Sequence, residues 1–255
     1  MHYKILTLLC VALMMIMAAT APEAYAAEQS RRRFAMVVGA NDGGPYRIKL
    51  RYAASDAHAM QQVFEELGGI PGKNQVFLDN PEVTDFYRAY QQIQINATRA
   101  KEQGDYVELF FYYSGHSDDE GLLLYGKHIA YRELKQMIDA VPADVRVVML
   151  DSCQSGAMTR SKGGSRQAPF MSDQSVNLKG HAFLTSSAAD EAAQESDRIG
   201  GSFFTHYMIS GLRGAADTSG DRRVSLNEAY QYAFNETLKR TETAQSGAQH
   251  PTYEI

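Results

Sequence analysis

The chain has little cysteine: its 255 residues hold only two, Cys10 and Cys153. Cys10 lies in an apolar run over residues 5–19, which follows a lysine and precedes a small-x-small pattern at 24–26. This arrangement is typical of a secretory signal peptide. We therefore expect residues 1–26 to be removed and the protein to be exported, to the periplasm or outside the cell. The alternative is an uncleaved membrane anchor, although the apolar run is short for a membrane span.

Removal of this segment would leave Cys153 without a disulfide partner. Exported proteins mostly use cysteines in pairs, and an unpaired thiol in an oxidising compartment is open to oxidation. Cys153 therefore calls for a chemical role. The alternative is a buried cysteine that packs as a small apolar residue.

The sequence also lacks any excess of positive charge, because 25 Lys and Arg residues face 30 Asp and Glu residues, for a net charge of -5. A nucleic-acid partner is therefore not indicated. There is no glycine-rich phosphate loop and no Cys/His cluster with the spacing of a zinc site. The sequence thus indicates no required cofactor.

What the sequence does contain is a regular alternation of short apolar runs and helical patterns. This alternation predicts one α/β domain over residues 34–255, with a mainly parallel sheet covered on both faces. Residues 27–33 are polar and predict a solvated lead-in. Residues 156–177 are rich in glycine and serine and predict a loop. Strands are predicted at 34–39, 75–78, 107–113, 122–125, 146–150 and 182–185, and helices at 56–67, 84–103, 131–140, 203–212 and 226–238.

Two of the predicted strands end in residues that carry chemistry. One runs into Tyr113-Ser114-Gly115-His116, and another runs into Asp151-Ser152-Cys153-Gln154-Ser155-Gly156. The carboxyl ends of parallel strands share one edge of a sheet, where ligands bind, so we expect the two segments to meet. His116 would accept the proton of the Cys153 thiol and later protonate a leaving amine. The backbone N–H groups of Ser117 and Cys153 would hold the oxyanion.

These motifs, in this order, resemble the caspase-like cysteine peptidases, and are most similar to the metacaspase and bacterial orthocaspase branch. The resemblance extends over residues 33–255 and includes the segments 50–57, 201–205 and 211–214. It implies a three-layer α/β/α sandwich with a mainly parallel central sheet. It also implies a cysteine-type endopeptidase that acts on protein or peptide substrates through a His116/Cys153 dyad.

The position after the histidine departs from the family pattern. The family has glycine there, whereas this chain has Ser117, which is a poorer fit if the position requires a positive φ. The alternative function is therefore a caspase-like module that binds proteins without cleaving them.

The resemblance further implies an acidic pocket for the P1 residue, the substrate residue directly before the scissile bond. The matching positions are Asp56, Ser114 and Asp151. Two carboxylates suit a guanidinium or an ammonium group, so cleavage after Arg or Lys is expected. The alternatives are that Asp56 caps a helix and that Asp151 orients the turn before the nucleophile.

Family members often carry processing sites after the nucleophile strand. Arg160, Lys162 and Arg166 lie in the predicted loop and are candidates for self-cleavage. The alternative is an ordinary mobile surface loop.

Residues 217–228 match most of an EF-hand loop, which makes calcium an optional ligand. The sixth position should be glycine but is Arg222. The competing interpretation, which we favour, is a capping box formed by Ser225 and Glu228 at the start of the last helix. The loop alone would support a third function, a calcium-responsive structural protein. The candidate metal ligands are Asp217, Ser219, Asp221, Ser225 and Glu228.

Overall fold

The structure is a computed structural model that describes residues 30–153, 180–188, 193–244 and 247–254. Arg31–Ile255 form one compact unit. Among the described residues, no helix has the length and apolar character needed to cross a membrane. The strands are β1 (Arg31–Ala40), β2 (Gln75–Asp79), β3 (Tyr106–Gly115), β4 (Gly121–Leu124), β5 (Lys127–Ala130), β6 (Val145–Asp151), β7 (Gly180–Thr185), β8 (Glu195–Ser196), β9 (Gly201–Ser202) and β10 (Thr252–Glu254). The helices are α1 (Ala53–Glu66), α2 (Val83–Glu102), α3 (Tyr131–Ala140), α4 (Phe203–Ser210) and α5 (Leu226–Thr241).

Six strands form the central sheet, in the order β10-β7-β6-β3-β1-β2. All neighbouring pairs are parallel except β10 with β7, which is antiparallel. This confirms the mainly parallel sheet that the sequence predicts. Two small antiparallel pairs, β4 with β5 and β8 with β9, lie outside the central sheet.

Helices cover both faces of the sheet and create two hydrophobic cores. Met36 and Val38 of β1 belong to one core, which also contains Phe86 of α2 and Leu134 of α3. Ala35 and Val37, the alternate residues of the same strand, belong to the other core, with side chains from α1, α4 and α5. The chain therefore folds into three layers, and this double burial explains why the central strands are continuous apolar runs.

Strand β1 begins at Arg31, three residues before the predicted start of the domain. The polar lead-in predicted for 27–33 therefore needs correction at its last three residues. Arg32 Nε lies 3.0 Å from Asp105 Oδ2 and Arg33 Nε lies 2.5 Å from Glu108 Oε2. These ion pairs, made with residues beside and within β3, allow charged side chains to extend the strand.

The register of the sheet sets the position of the candidate site. Gly39 of β1 pairs with Ser114 of β3, and Ser114 pairs in turn with Asp151 of β6. The carboxyl ends of three neighbouring strands therefore lie side by side. The segments that carry His116 and Cys153 leave the sheet from this edge.

Candidate active site

The residues that follow β3 and β6 are in direct contact. Ser117, which follows His116, donates a hydrogen bond from its hydroxyl to the Cys153 carbonyl oxygen. Ser117 is buried, and Cys153 is partly exposed. The structure thus brings both sequence-predicted reactive residues to one edge, with Ser117 between them.

The His116 ring is held from two sides. Its Nε2 lies 2.7 Å from the Ile48 carbonyl oxygen, which can only accept a hydrogen bond, so Nε2 carries the proton and Nδ1 has a free lone pair. Gly43 packs against the other side, where a Cβ atom would lie 2.5 Å from His116 Cδ2. Burial lowers the pKa of His116. The ring is therefore neutral near pH 7 and ready to accept a proton.

The Cys153 thiol is also uncharged at rest. Burial raises its pKa, and Sγ lies 4.0 Å from the Ala193 carbonyl oxygen. The structure records no hydrogen bond between the His116 ring and the Cys153 thiol, although both residues are in the described part of the chain. Catalytic hydrogen bonds are often long without substrate and tighten when it binds. Both groups are thus neutral at rest and follow neighbouring strands at the same edge of the sheet.

The backbone around Ser117 leaves room for an oxyanion site. Ser117 forms an antiparallel bridge with Leu122. The bridge uses the His116 carbonyl and the Asp118 N–H rather than the backbone groups of Ser117. The Ser117 N–H therefore points away from β4.

Serine causes no backbone strain at this position. Among the described residues, the non-glycine residues with positive φ are Asn80, Tyr125 and Arg222, and Ser117 is not one of them. The concern that only glycine suits the position after His116 is therefore not supported.

Two buried carboxylates lie behind this edge. Asp56 is 6% exposed and Asp151 is 3% exposed. Ser202 connects them: its N–H donates to Asp56 Oδ2 at 2.9 Å, and its hydroxyl donates to Asp151 Oδ2. The Thr205 hydroxyl also donates to Asp151 Oδ2. Asp151 Oδ1 is buried and has no hydrogen-bond partner among the described residues.

Burial and the repulsion between Asp56 and Asp151 disfavour the ionised form of these carboxyl groups. Burial, followed by the charge of Asp151, raises the pKa of Asp56 to about 8. Burial also raises the pKa of Asp151, although hydrogen bonds from Ser202 and Thr205 oppose the rise. Near pH 7 the pair therefore carries less than two full negative charges. A cation placed beside the pair would favour the ionised form of both carboxyl groups.

Asp56 does not cap a helix, so that alternative is wrong. Helix α1 begins at Ala53, three residues before the predicted start, which places Asp56 inside the first turn. The Asn41 side-chain oxygen instead accepts a hydrogen bond from the Ala54 N–H in the first turn, at 2.8 Å. The Glu195 carboxylate accepts from the N–H groups of Arg51 and Tyr52, just before the helix. Ser114, the third predicted pocket residue, is buried beside Asp151 in the sheet.

Several residues of the site were not assigned a role from the sequence. Ser202 had a usable signal, because it is the N-cap of α4 and its hydroxyl also accepts from the Thr205 N–H. Ile48 and Ala193 act through their carbonyl groups, which every residue type has. Their positions could not be recognised without the fold.

The loop over residues 217–228 contains the predicted capping box. The Ser225 hydroxyl accepts from the Glu228 N–H, and the Glu228 carboxylate accepts from the Ser225 N–H. The bonds that the Ser225 N–H and hydroxyl donate to the Glu228 carboxylate lower its pKa to about 2. Asp217 accepts from the N–H groups of Gly220 and Arg222.

Arg222 has a φ of 66°, so this arginine adopts the left-handed conformation that favours glycine. Among the described residues, no group of three His, Cys, Asp or Glu side chains is arranged to hold a metal ion. The candidate self-cleavage residues Arg160, Lys162 and Arg166, and the predicted signal over 1–26, lie outside the described residues.

Comparison with known proteins agrees with the architecture. The family model described as the caspase domain matches residues 32–255. The crystal structure of caspase-1 from Spodoptera frugiperda is similar, with a TM-score of 0.64 at 14% identity and 89% of each chain covered. A structure of pro-sf-caspase-1 has a TM-score of 0.58 at 13% identity, covering 89% of this chain and 88% of that one. No curated protein matches the chain. The sheet is therefore that of a caspase-like fold, and the chain belongs to the caspase-domain family of cysteine peptidases.

Proposed function

We propose that the chain is a cysteine endopeptidase that cleaves after Arg or Lys and belongs to the metacaspase and orthocaspase branch. The observation that carries the proposal is the buried pair Asp56 and Asp151 behind the edge where Cys153 and His116 lie. An uncompensated pair of carboxylates lowers stability. A positively charged substrate side chain bound beside the two carboxylates would offset this destabilisation.

The reaction follows from the protonation states of the two reactive groups. The Cys153 sulfur attacks the scissile carbonyl carbon while its proton passes to His116 Nδ1. The oxyanion accepts hydrogen bonds from the N–H groups of Ser117 and Cys153. When the intermediate collapses, the leaving amine takes the proton from His116, and a thioester remains on Cys153. Water, deprotonated by His116, then hydrolyses the thioester and restores the thiol.

The Ile48 carbonyl has a defined part in this cycle. It fixes His116 with Nε2 protonated, so that Nδ1 is the nitrogen that exchanges the proton. It also stabilises the imidazolium that forms after proton transfer. The reaction uses only groups of the chain, the substrate and water, and no cofactor is required.

The choice of P1 residue follows from charge. A guanidinium offers several N–H donors in one plane, and Asp151 Oδ1 is an acceptor that has no hydrogen-bond partner among the described residues. Lysine offers a compact charge and three donors. A P1 aspartate would place a third carboxylate beside two that already resist ionisation, so it is disfavoured.

Hydrolysis of matched fluorogenic peptides ending in Arg, Lys or Asp tests this proposal. The wild-type chain, in reductant and with or without calcium, should cleave the Arg and Lys peptides, and Cys153→Ala should cleave none. Calcium is varied because of the loop over residues 217–228. Preference for the Asp peptide would refute the acidic pocket. Absence of any turnover in all conditions would favour the non-catalytic binding module.

We also propose that the protein is exported after removal of residues 1–26, since this leaves Cys153 as its one thiol. Expression in a bacterial host, cell fractionation and intact-mass measurement test this. The expected product is exported and begins at residue 27. A full-length chain retained in the membrane would support an uncleaved anchor instead.

Self-cleavage after Arg160, Lys162 or Arg166 is a further part of the proposal. Purified wild-type protein should yield fragments that end at one of these residues, and Cys153→Ala should stay intact. An active enzyme that remains uncut after long incubation would show that processing is not needed.

A further inference from the structure

Two large hydrophobic side chains stand in solvent on the loop whose backbone binds the candidate catalytic histidine. Tyr46 is 99% exposed and Ile48 is 89% exposed, the two highest values among the exposed large hydrophobic residues of the described chain. They lie two positions apart in the loop of residues 41–52, which joins β1 to α1. Single exposed hydrophobic residues are common, but two on a short loop that binds the His116 ring suggest contact with a ligand.

The base of this loop is firmly held, although its tip is exposed. The Leu50 N–H donates to the Asn41 carbonyl at 2.8 Å, which closes the loop. Arg47 Nη2 lies 2.9 Å from Asp118 Oδ2, which ties the loop to the segment after His116. Gly44 approaches Gly126 so closely that a Cβ atom would lie 2.6 Å from the Gly126 Cα atom. Tyr46 and Ile48 therefore extend from a loop whose base is already fixed in place before a ligand binds.

The position of the tip relative to the reacting atoms follows from the His116 ring. The Ile48 carbonyl lies 2.7 Å from His116 Nε2, so the loop directly contacts the ring that protonates the leaving amine in the proposed reaction. In the proposed reaction the P1 side chain binds Asp56 and Asp151, and His116 protonates the leaving amine. The substrate residues after the scissile bond would therefore lie near His116 and the loop that binds its ring.

We propose that Tyr46 and Ile48 form a binding surface for a large apolar side chain at the first substrate residue after the scissile bond. This inference rests on the proposed peptidase function and deepens it, because it adds a preference on the leaving side to the one for Arg or Lys. The backbone of Ile48 positions the base while its side chain contacts the substrate.

The test uses internally quenched peptides that share Arg at P1 and carry leucine or glycine directly after the scissile bond. Wild type should prefer leucine in kcat/KM by about 5- to 10-fold, the size expected for one apolar contact at an open surface. Tyr46→Ser and Ile48→Ser should each reduce the preference, and the double variant should reduce it to about 2-fold or less. Ile95→Ser, which changes an exposed residue on α2, is the matched control and should keep the preference.

A second substrate separates direct contact from an indirect effect on catalysis. An Arg amide whose leaving group is a dye has no residue after the scissile bond, so Tyr46→Ser should hydrolyse it like wild type. Equal loss on both substrates would overturn the inference, because the residues would then act through His116. Equal cleavage of leucine and glycine peptides by wild type would overturn it and leave the proposed function standing. Failure of wild type to cleave any substrate would overturn both.

Discussion

Two pairs of acidic residues in this chain have opposite electrostatic environments. Asp56 and Asp151 are buried, share the hydrogen-bond donors of Ser202, and have raised pKa values. Asp217 and Glu228 lie on an exposed loop and accept hydrogen bonds from backbone N–H groups, which lower the pKa of Glu228. Nearby backbone N–H groups donate hydrogen bonds to the exposed carboxylates. In the buried pair, Asp151 Oδ1 has no hydrogen-bond partner among the described residues.

Burial and hydrogen-bond partners therefore distinguish a carboxylate that binds a ligand from one that stabilises the fold. A carboxylate that caps a helix contributes to stability by itself. A buried pair of carboxylates with an unused oxygen lowers the free energy of unfolding until a cation binds. Such a pair therefore indicates a site that binds a cation. The comparison predicts that substitutions at the two places affect different properties.

The largest effect is expected at the buried pair. Asp151→Asn should lower kcat/KM for an Arg peptide by about 100-fold or more, because it removes one charge from a buried ion pair with the substrate. Asp217→Asn on the exposed loop is the control and should leave kcat/KM within about 2-fold. Steady-state kinetics measure both, and similar losses in the two variants would contradict the comparison.

The pH dependence of stability should also differ. Asp56 has an ordinary pKa near 3.8 when unfolded and about 8 when folded, so the folded state binds the extra proton between these values. Stability from this group is therefore greatest at low pH and is lost as the pH rises toward 8, by on the order of 3 kcal/mol between pH 5 and 8.5.

Asp56→Asn should flatten this profile, and urea unfolding across the pH range measures it. The Asp217→Asn variant should follow the wild-type profile. If Asp56→Asn does so as well, the buried carboxyl group has an ordinary pKa.

The smallest effect is expected at the capping box. Ser225→Ala should lower the free energy of unfolding by about 1 kcal/mol, because the first turn of α5 loses its side-chain acceptor. Activity on Arg peptides should not change. Ser225→Thr keeps the hydroxyl, which both accepts from the Glu228 N–H and donates to its carboxylate, and should retain most of the stability. A loss of activity without a loss of stability would show that the loop serves the active site.

The sequence predicted most of the sheet, because its central strands are buried on both sides and appear as apolar runs. It missed β10, which has three residues and lies at an edge, too short for a periodic signal. It placed the starts of β1 and α1 three residues late. The reasons are ion pairs from distant residues at β1 and a side-chain acceptor supplied by Asn41 to the first turn of α1.

The candidate site was predictable where chemistry depends on residue type. His116, Cys153, Asp56 and Asp151 carry side chains suited to their proposed roles, and the strand pattern places three of them at one edge. The carbonyl of Ile48 and the bridging position of Ser202 depend on folding that joins distant segments. Such contacts leave little trace in one sequence.

The central claim is that Cys153 is a nucleophile served by an acidic pocket. The most direct measurement is the rate at which matched Arg and Asp chloromethyl ketone peptides alkylate the wild-type protein, followed by intact mass and peptide mapping. We expect a single modification on Cys153, with the Arg reagent faster by about 100-fold or more, and slow labelling in His116→Ala. Equal rates for the two reagents, or no modification of Cys153, would contradict it.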